Sequence, residues 1–457
     1  MTGRTILTAA EMRAAEEAAI AAGAPVEELM ERAGKAAADA IWRFAGPLPA
    51  LALCGPGNNG GDGYVIAREL AGRGVPVRVA ALAEPRTQAA RAACASWTGP
   101  IEALTDAAPA ALLIDALFGT GLGRPLDAEV SETLGRLAMR AGVRVAIDLP
   151  SGAATDDGAI LSPVPDYDLT ITFQTLKPSH LLQPAARHMG RLVVADIGIE
   201  ASSDLSEIGR PKLAAPGPDA HKFSRGLVTI IAGAMPGASV LAAEAAARAG
   251  AGAVRLQAKA FVPGVAAAVV QTPGDPLARL DDKRIGALLL GPGLIADEEG
   301  RGLLEATLGA GHPLVLDAGA LRLLADRSPG DLRDAILTPH EGEFTALFGD
   351  SGGGKIERAR AAAARSGAVI VYKGPDTIVA APDGRAAIGT APHWLASAGT
   401  GDVLAGTIAA LRASGQEAFA AACAGIWLHG RAAELAGPGL IADDLVAHLP
   451  AAYAECL

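Results

Sequence analysis

Two series of short apolar runs, each run set off from the next by a helical repeat or a glycine turn, restrict this chain to a narrow set of folds. In the first series the runs are Leu51–Cys54, Val77–Leu82, Leu112–Asp115, Val143–Asp148, Leu169–Phe173 and Leu192–Val194. They are too short for helices and too continuously apolar for strands with one wet face. Such runs predict a mainly parallel sheet covered on both sides. Thr8 and Glu11 have the spacing of a capping box, which opens a helix to about Ala22. Further helices are predicted at about Val26–Phe44, Tyr64–Leu70 and Arg86–Trp97. The second series is Leu227–Ile231, Ala253–Leu256, Ala287–Leu290, Leu314–Asp317, Ala335–Thr338, Ala368–Tyr372 and Thr377–Ala380, with three helical segments closing the chain. Between residues 200 and 220 periodicity gives way to Ser, Pro and Gly. That stretch predicts a linker and two domains, 1–212 and 213–457.

Composition narrows the function classes. A formal net charge of −11 over 457 residues argues against a broad nucleic-acid surface. The most apolar region, 227–254, is broken by Pro236, Glu244 and Arg248, so no run reaches the ~18–20 residues a spanning helix needs. Met1–Thr5 leads into a charged helical pattern, not a signal-peptide core. Cys54, Cys94, Cys423 and Cys456 form no CxxC pair, which fits reduced thiols in a cytoplasmic protein without a thiolate zinc site.

The chemistry-bearing motifs fall at the ends of the predicted strands. Gly399-Thr400-Gly401-Asp402 opens a helix, where unpaired N–H groups attract a phosphate or oxyanion. An aspartate there is either a simple helix-end charge or a base for a hydroxyl that attacks the phosphate. Gly55-Pro56-Gly57-Asn58-Asn59-Gly60-Gly61-Asp62-Gly63 satisfies the dinucleotide-loop pattern between strand and helix, but its two amides and Asp62 do not suit a pyrophosphate grip. Asp115 with Gly119–Pro125, Asp148 with Ser151, and Phe173–Pro178 end other strands of the same sheet. Asn59, Asp115 and Ser151 offer oxygens to a hard or monovalent cation, leaving Asp148 for the substrate. In the second half the loops at Pro236-Gly237-Ala238, Gly291-Pro292-Gly293, Pro339-His340-Glu341 and Lys373–Thr377 follow strands. Gly349–Ile356 nearly spells a P-loop but lacks the final Ser/Thr and follows a helix, so it reads as a flexible interhelical loop.

In their order along nearly the whole chain these motifs resemble the bifunctional NAD(P)H-hydrate repair family, an epimerase joined to an ADP-dependent dehydratase. Leu29-Met30-Glu31-Arg32-Ala33-Gly34 and the Gly55–Gly63, Asp115–Pro125, Asp148–Gly152 and Phe173–Pro178 stretches carry the first half. His221-Lys222-Phe223, Gly291–Gly293, Thr338–Glu343, Lys373-Gly374 and Ala398–Asp402 carry the second. The resemblance implies an N-terminal Rossmann-like three-layer domain and a C-terminal ribokinase-like α/β domain. It implies that potassium binds Asn59, Asp115 and Ser151, and that Asn58, Asn59, Gly60, Gly61, Asp62, Gly119, Thr120, Gly121, Leu122, Gly123, Arg124, Pro125 and Asp148 hold hydrated NADH or NADPH. It places Ala238, Gly293, His340 and Asp402 against the S hydrate, and Lys373, Gly374, Pro375, Asp376, Thr377 and Gly401 against ADP, with Mg2+. The hydrate's C6 is a hemiaminal carbon whose C–O bond the ring nitrogen helps to break. Asp148 is the candidate proton shuttle for its inversion and Asp402 the candidate base for its phosphorylation. A homo-oligomer without membrane or nucleic-acid partners is expected.

Three other readings remain open at this level: a ribokinase-like kinase with an accessory domain, a first half that only binds a ligand, and a dehydrogenase. Two positions depart from the expected pattern. Gly319 stands where a second acid after Asp317 is expected, and Ala234-Met235 is poorer in glycine than the usual loop.

Overall fold

The computed structural model describes residues 3–325, 332–350 and 352–457. It divides into two compact units, Arg4–Ser203 and, with Gly3, Asp204–Leu457.

In the first unit α1 (Ala9–Ala21), α2 (Val26–Ala45), β1 (Ala50–Cys54), α3 (Asn58–Gly72), β2 (Val77–Ala81), α4 (Gln88–Ala95), β3 (Ile101–Ala103), β4 (Leu112–Ala116), α5 (Ala128–Arg140), β5 (Val143–Ile147), β6 (Leu169–Phe173) and β7 (Arg191–Ala195) follow one another. The strands form one parallel sheet in the order β3-β2-β1-β4-β5-β6-β7. The order reverses at β1, so a crevice is expected beyond the carboxyl ends of β1 and β4. The box at Thr8 caps α1 as predicted. α2 turns Leu29, Met30, Ala33, Ala37, Ala38 and Ile41 to the sheet at helical spacing.

The glycine-rich stretch after β1 departs from expectation. It is helix, not loop: α3 begins at Asn58, so Gly60, Gly61 and Gly63 lie within it and Asp62 sits in its second turn. The glycines are there because α3 starts hard against its neighbours. A methyl on Gly60 would stand 1.8 Å from the Gly55 carbonyl oxygen, and one on Gly61 2.5 Å from the Met30 side chain. Gly34 does the same for α2, where Val65 fills the space of a methyl.

The second unit contains β8 (Leu205–Glu207), β9 (Leu227–Ile231), α6 (Pro236–Arg248), β10 (Ala253–Ala258), β11 (Val270–Pro273), β12 (Ile285–Leu290), α7 (Glu298–Gly309), β13 (Leu314–Leu316), α8 (Ala318–Ala325), β14 (Ala335–Leu337), α9 (Glu341–Phe348), α10 (Lys355–Ser366), β15 (Val369–Tyr372), β16 (Asp376–Ala380), β17 (Ala386–Thr390), α11 (Thr400–Ala413), α12 (Ala418–Ala436) and α13 (Ala442–Ala454). Its sheet runs β11-β10-β9-β12-β13-β14-β15-β16-β17-β8. It is parallel except where β16 pairs antiparallel with β15 and β17. Alanine-rich helices pack closely over it; a methyl on Gly406 of α11 would stand 2.1 Å from the Ala242 oxygen of α6.

The boundary lies at Ser203/Asp204, inside the predicted aperiodic stretch but ahead of 212/213. The reason is β8, which pairs in parallel with β17 and so belongs to the second sheet. Leu205-Ser206-Glu207, with a single apolar residue, was too short a signal to read as a strand. Met1, Thr2 and Ser351, to which the N-terminal and Gly349–Ile356 expectations extend, lie outside the described residues, and Lys355 and Ile356 belong to α10.

Gly60→Ala is expected to destabilise the first unit by about 1–3 kcal/mol through overpacking. Gly72→Ala, where a methyl meets nothing within 4 Å, should be neutral or stabilising. Midpoints of denaturant unfolding compare the two; equal midpoints would contradict the close approach.

Candidate functional sites

In the first unit the carboxyl ends of β1, β4, β5 and β6 meet at a cavity of about 500 Å³ lined by Asn59, Asp62, Gly119, Thr120, Asp148 and Lys177, among others. Asp148 follows β5 in a left-handed conformation, φ 64°, unusual for a residue with a side chain. Its fixed contacts hold that turn. Oδ1 pairs with Lys177 Nζ at 2.9 Å and accepts from Thr172 Oγ1 at 3.0 Å. Oδ2 accepts from the Thr120 N–H at 2.7 Å and from the Thr120 hydroxyl. Burial alone would raise the Asp148 carboxyl, but the Lys177 charge and the Thr120 bond hold it well below the usual range. His180 completes the support. Its Nδ1 accepts from the Lys177 N–H at 2.8 Å and its Nε2 faces the Asp148 carbonyl at 2.8 Å, so Nε2 carries the proton. Burial, with Lys177 nearby, pushes this imidazole down to about 4, so the ring is neutral at pH 7.

Asp115 and Ser151 come together as expected. The Ser151 hydroxyl donates to Asp115 Oδ1 at 2.7 Å, its N–H to Oδ2 at 3.0 Å, and Tyr167 also donates to Oδ2. Asp115 is fully buried, and among the described residues no cationic side chain pairs with it. Burial raises its carboxyl against those hydrogen bonds. The Asn59 amide nitrogen is buried without a partner. A methyl on Gly119 would stand 2.6 Å from Asp148 Oδ2 and 3.1 Å from Asn59 Oδ1, so glycine keeps this space open. Asn58, Asn59, Asp62 and Gly119–Leu122 line the cavity; Gly123, Arg124 and Pro125 are exposed and do not, while Gly60 and Gly61 are buried against the fold.

The sequence reading missed the roles of Lys177 and Glu16. Lys177 was visible only as a lysine in a polar strand-end stretch. Glu16 comes from α1, whose place over the site no local pattern announces.

In the second unit the corresponding corner is built from β13, β15 and the start of α11. Asp317 follows β13, and its Oδ1 accepts from Lys373 Nζ at 2.8 Å and Thr338 Oγ1 at 2.6 Å. A methyl on Gly401 would stand 3.6 Å from Lys373 Nζ, so the lysine reaches the first turn of α11. Gly399 precedes that helix at φ 85°, and its turn leaves the amides at the helix start free. Asp402 accepts no hydrogen bond among the described residues. Burial, then Asp317, raises it and Lys373 lowers it, for a net rise to about 6.

The turn Lys373–Thr377 is held from below by Lys355, whose Nζ bonds the Asp376 carbonyl at 2.5 Å and Oδ1 at 2.8 Å. The lysine of the near-P-loop stretch thus braces the predicted nucleotide turn. His340 caps α9, its Nδ1 accepting from the Glu343 N–H at 3.2 Å, with the rest of the ring exposed. Gly293 (φ 73°) abuts the backbone of Met235, so its loop meets the start of α6; Pro236-Gly237-Ala238, expected as a loop, is the first turn of that helix. Gly319 has a plain cause: a Cβ there would stand 2.1 Å from the Leu294 oxygen, leaving no room for the acid the pattern suggested.

Asp317→Asn should lower the Asp402 midpoint below about 6, because it removes a negative neighbour and leaves Lys373 in place. Carboxyl-carbon NMR titration reads this; an unchanged or raised midpoint would contradict the coupling.

Comparison with known proteins bears on the family of both units. The family model for the YjeF-related protein N-terminus matches residues 26–179, and that for NAD(P)H-hydrate dehydratase matches 228–449. A bifunctional NAD(P)H-hydrate repair enzyme of Salinibacter ruber is 34% identical over 98% of this chain and 96% of its own. One of Escherichia coli is 34% identical over 97% and 93%. A ribokinase-like superfamily protein of Enterococcus faecalis, 20% identical, covers 56% of this chain and 98% of its own with a TM-score of 0.50, a likeness of fold. Two family models in order and relatives matched end to end leave one assignment: the chain belongs to the bifunctional NAD(P)H-hydrate repair enzymes.

Proposed function

We propose that the first unit interconverts the R and S epimers of NADH and NADPH hydrate, and that the second dehydrates the S epimer at the expense of ADP, giving NAD(P)H, AMP and phosphate. The observation that carries the second half is Asp402: an unbonded carboxylate in the first turn of a helix, beside Lys373 and raised to about 6.

A base near neutrality can take the proton of the hydrate's C6 hydroxyl as its oxygen attacks the terminal phosphorus of ADP. Lys373 and the N–H groups at Gly399–Gly401 balance the charge on the transferred group. Hydroxide is a poor leaving group, whereas phosphate is a good one. The ring nitrogen expels it, C5 loses a proton, and the dihydronicotinamide is restored. Ala238, Gly293 and His340 would hold the hydrate, and Lys373–Thr377 with Gly401 the nucleotide. Mg2+ would be held mainly by the phosphate oxygens of ADP; no cluster of three His, Cys, Asp or Glu among the described residues would hold it without them.

In the first unit Asp148, kept ionised by Lys177 and Thr120, is a proton acceptor beside the reacting carbon. Potassium is proposed at Asn59, Asp115 and Ser151, and what supports it is the fully buried Asp115 carboxylate, which has no cationic partner among the described residues. The ion would offset the Asp115 charge and fix the Gly119 loop. The four unpaired thiols support a cytoplasmic setting. Homo-oligomer formation belongs to the same reading, and sedimentation velocity measures it.

Chromatography of mixed R and S hydrates tests the function. Loss of S only with ADP, and R-to-S conversion without it, are expected; a stable phosphorylated product would instead indicate a kinase. Dehydration should rise with pH through about 6, and Asp402→Asn should slow it by roughly 10²–10⁴. Full activity of a folded Asp402→Asn protein would remove the assignment. Replacing K+ by tetramethylammonium should slow epimer conversion in the native protein and not in Asp115→Asn; equal rates in both cations for the native protein would count against the ion.

A further inference from the structure

Inversion at C6 requires a proton for the departing hydroxyl, and Asp148 has none to give. A second cavity, about 310 Å³, adjoins the first and shares Arg13, Glu16, Asn58, Asp62 and Phe173 with it. Asp62 lines both. It is 8% exposed, and no donor among the described residues reaches its carboxyl. A carboxyl serving only as a helix-end charge would sit in the first turn and bond the free amides; this one is in the second turn and bonds nothing. Asn59, three residues before it, shares its helix face, and the Gly119 gap separates that face from Asp148 Oδ2. Asp62 and Asp148 therefore reach one cavity from different elements, α3 and the end of β5.

We propose that Asp62 is the second proton-transfer group of the epimerase site, protonating the hydroxyl that leaves C6 while Asp148 takes the proton of the water that adds to the other face. The inference rests on the epimerase reading of this unit. The C6–O bond breaks with its electron pair on oxygen, the Asp62 proton completes a water molecule, and the ring nitrogen lone pair forms the C6–N double bond. A second water attacks the opposite face, its oxygen bonding to C6 and its proton passing to Asp148. The net change is inversion, with one proton moved from Asp62 to Asp148 and restored by exchange with solvent; the reverse reaction exchanges the two roles.

The groups facing Asp62 suit this. They are Glu16 from α1, Cys54 from β1, Asp148 and Lys177, with Arg13 of α1 on the wall of both cavities; the buried cation, Lys177, is already bonded to Asp148. Burial, then Asp148 and Glu16, push Asp62 well above the ordinary carboxyl range against the pull of Lys177. Glu16 is raised too, by burial and then by Asp148. One carboxyl is thereby biased toward its charged form and its neighbour toward its protonated form, the pairing acid–base catalysis requires.

The test uses the full chain and R hydrate without ADP, with the uncatalysed rate subtracted. Asp62→Asn should slow R-to-S conversion by roughly 100-fold or more while hydrate affinity changes by less than about threefold. The native rate should fall as pH rises through the Asp62 midpoint, because the acid must be protonated, and Asp62→Asn should lose that limb. Asp62→Glu should recover part of the rate. In H2¹⁸O each inversion should place one ¹⁸O on C6. Asp62→Asn conversion within about threefold of native, or retention of ¹⁶O during inversion by the native enzyme, would overturn the proposal. Should circular dichroism show Asp62→Asn unfolded, the native pH limb and oxygen exchange decide alone, and the absence of either overturns it. If the native enzyme does not interconvert the epimers at all, the epimerase reading falls and this inference with it.

Discussion

In the first unit buried acids outnumber the cations that face them. Asp62, Asp115 and Asp148, with the half-buried Glu16, gather around the carboxyl ends of one sheet, and Lys177 is the buried cation among them. Charge taken out of water must be paired, bonded or neutralised. Lys177 pairs with Asp148, whose turn it holds in a left-handed conformation. Asp115 collects hydrogen bonds instead, and Asp62 has neither. The surplus of acid thus sorts one family of side chains into unlike roles by position alone.

The second unit solves a simpler problem with the same parts. Asp317 and Asp402 share Lys373, which bonds Asp317 directly and lies beside the first turn of α11. Asp402 is left charged enough to accept a proton and raised enough to want one. Gly291 and Gly293 bring their loop against the backbone of Asp317 and Met235, which fixes the strand-end loops of this unit against one another.

Much of this was legible in the sequence. Period and run length identified most strands of both sheets, and strand-end acids marked both crevices, because those signals are local. The start of α3 was misread because Gly60, Gly61 and Gly63 look like a loop until Gly55, Met30 and Cys54 are seen pressing on them. Glu16 and Lys177 were hidden for another reason: their meaning depends on what they face across the fold. Gly319 looked like a lost acid, yet the Leu294 carbonyl occupies the space a side chain would need. Its absence is a packing requirement of the neighbouring loop.

The short strand β8 has a consequence for dissecting the molecule. It comes first in its unit but lies on the outer margin of that sheet, beside β17. A fragment begun at residue 213 would lack it and leave the β17 backbone unpaired along one side, a template for self-association. The segment that opens the second unit is therefore also a seal, and cutting the chain at 212/213 would bare the sheet margin that β8 covers.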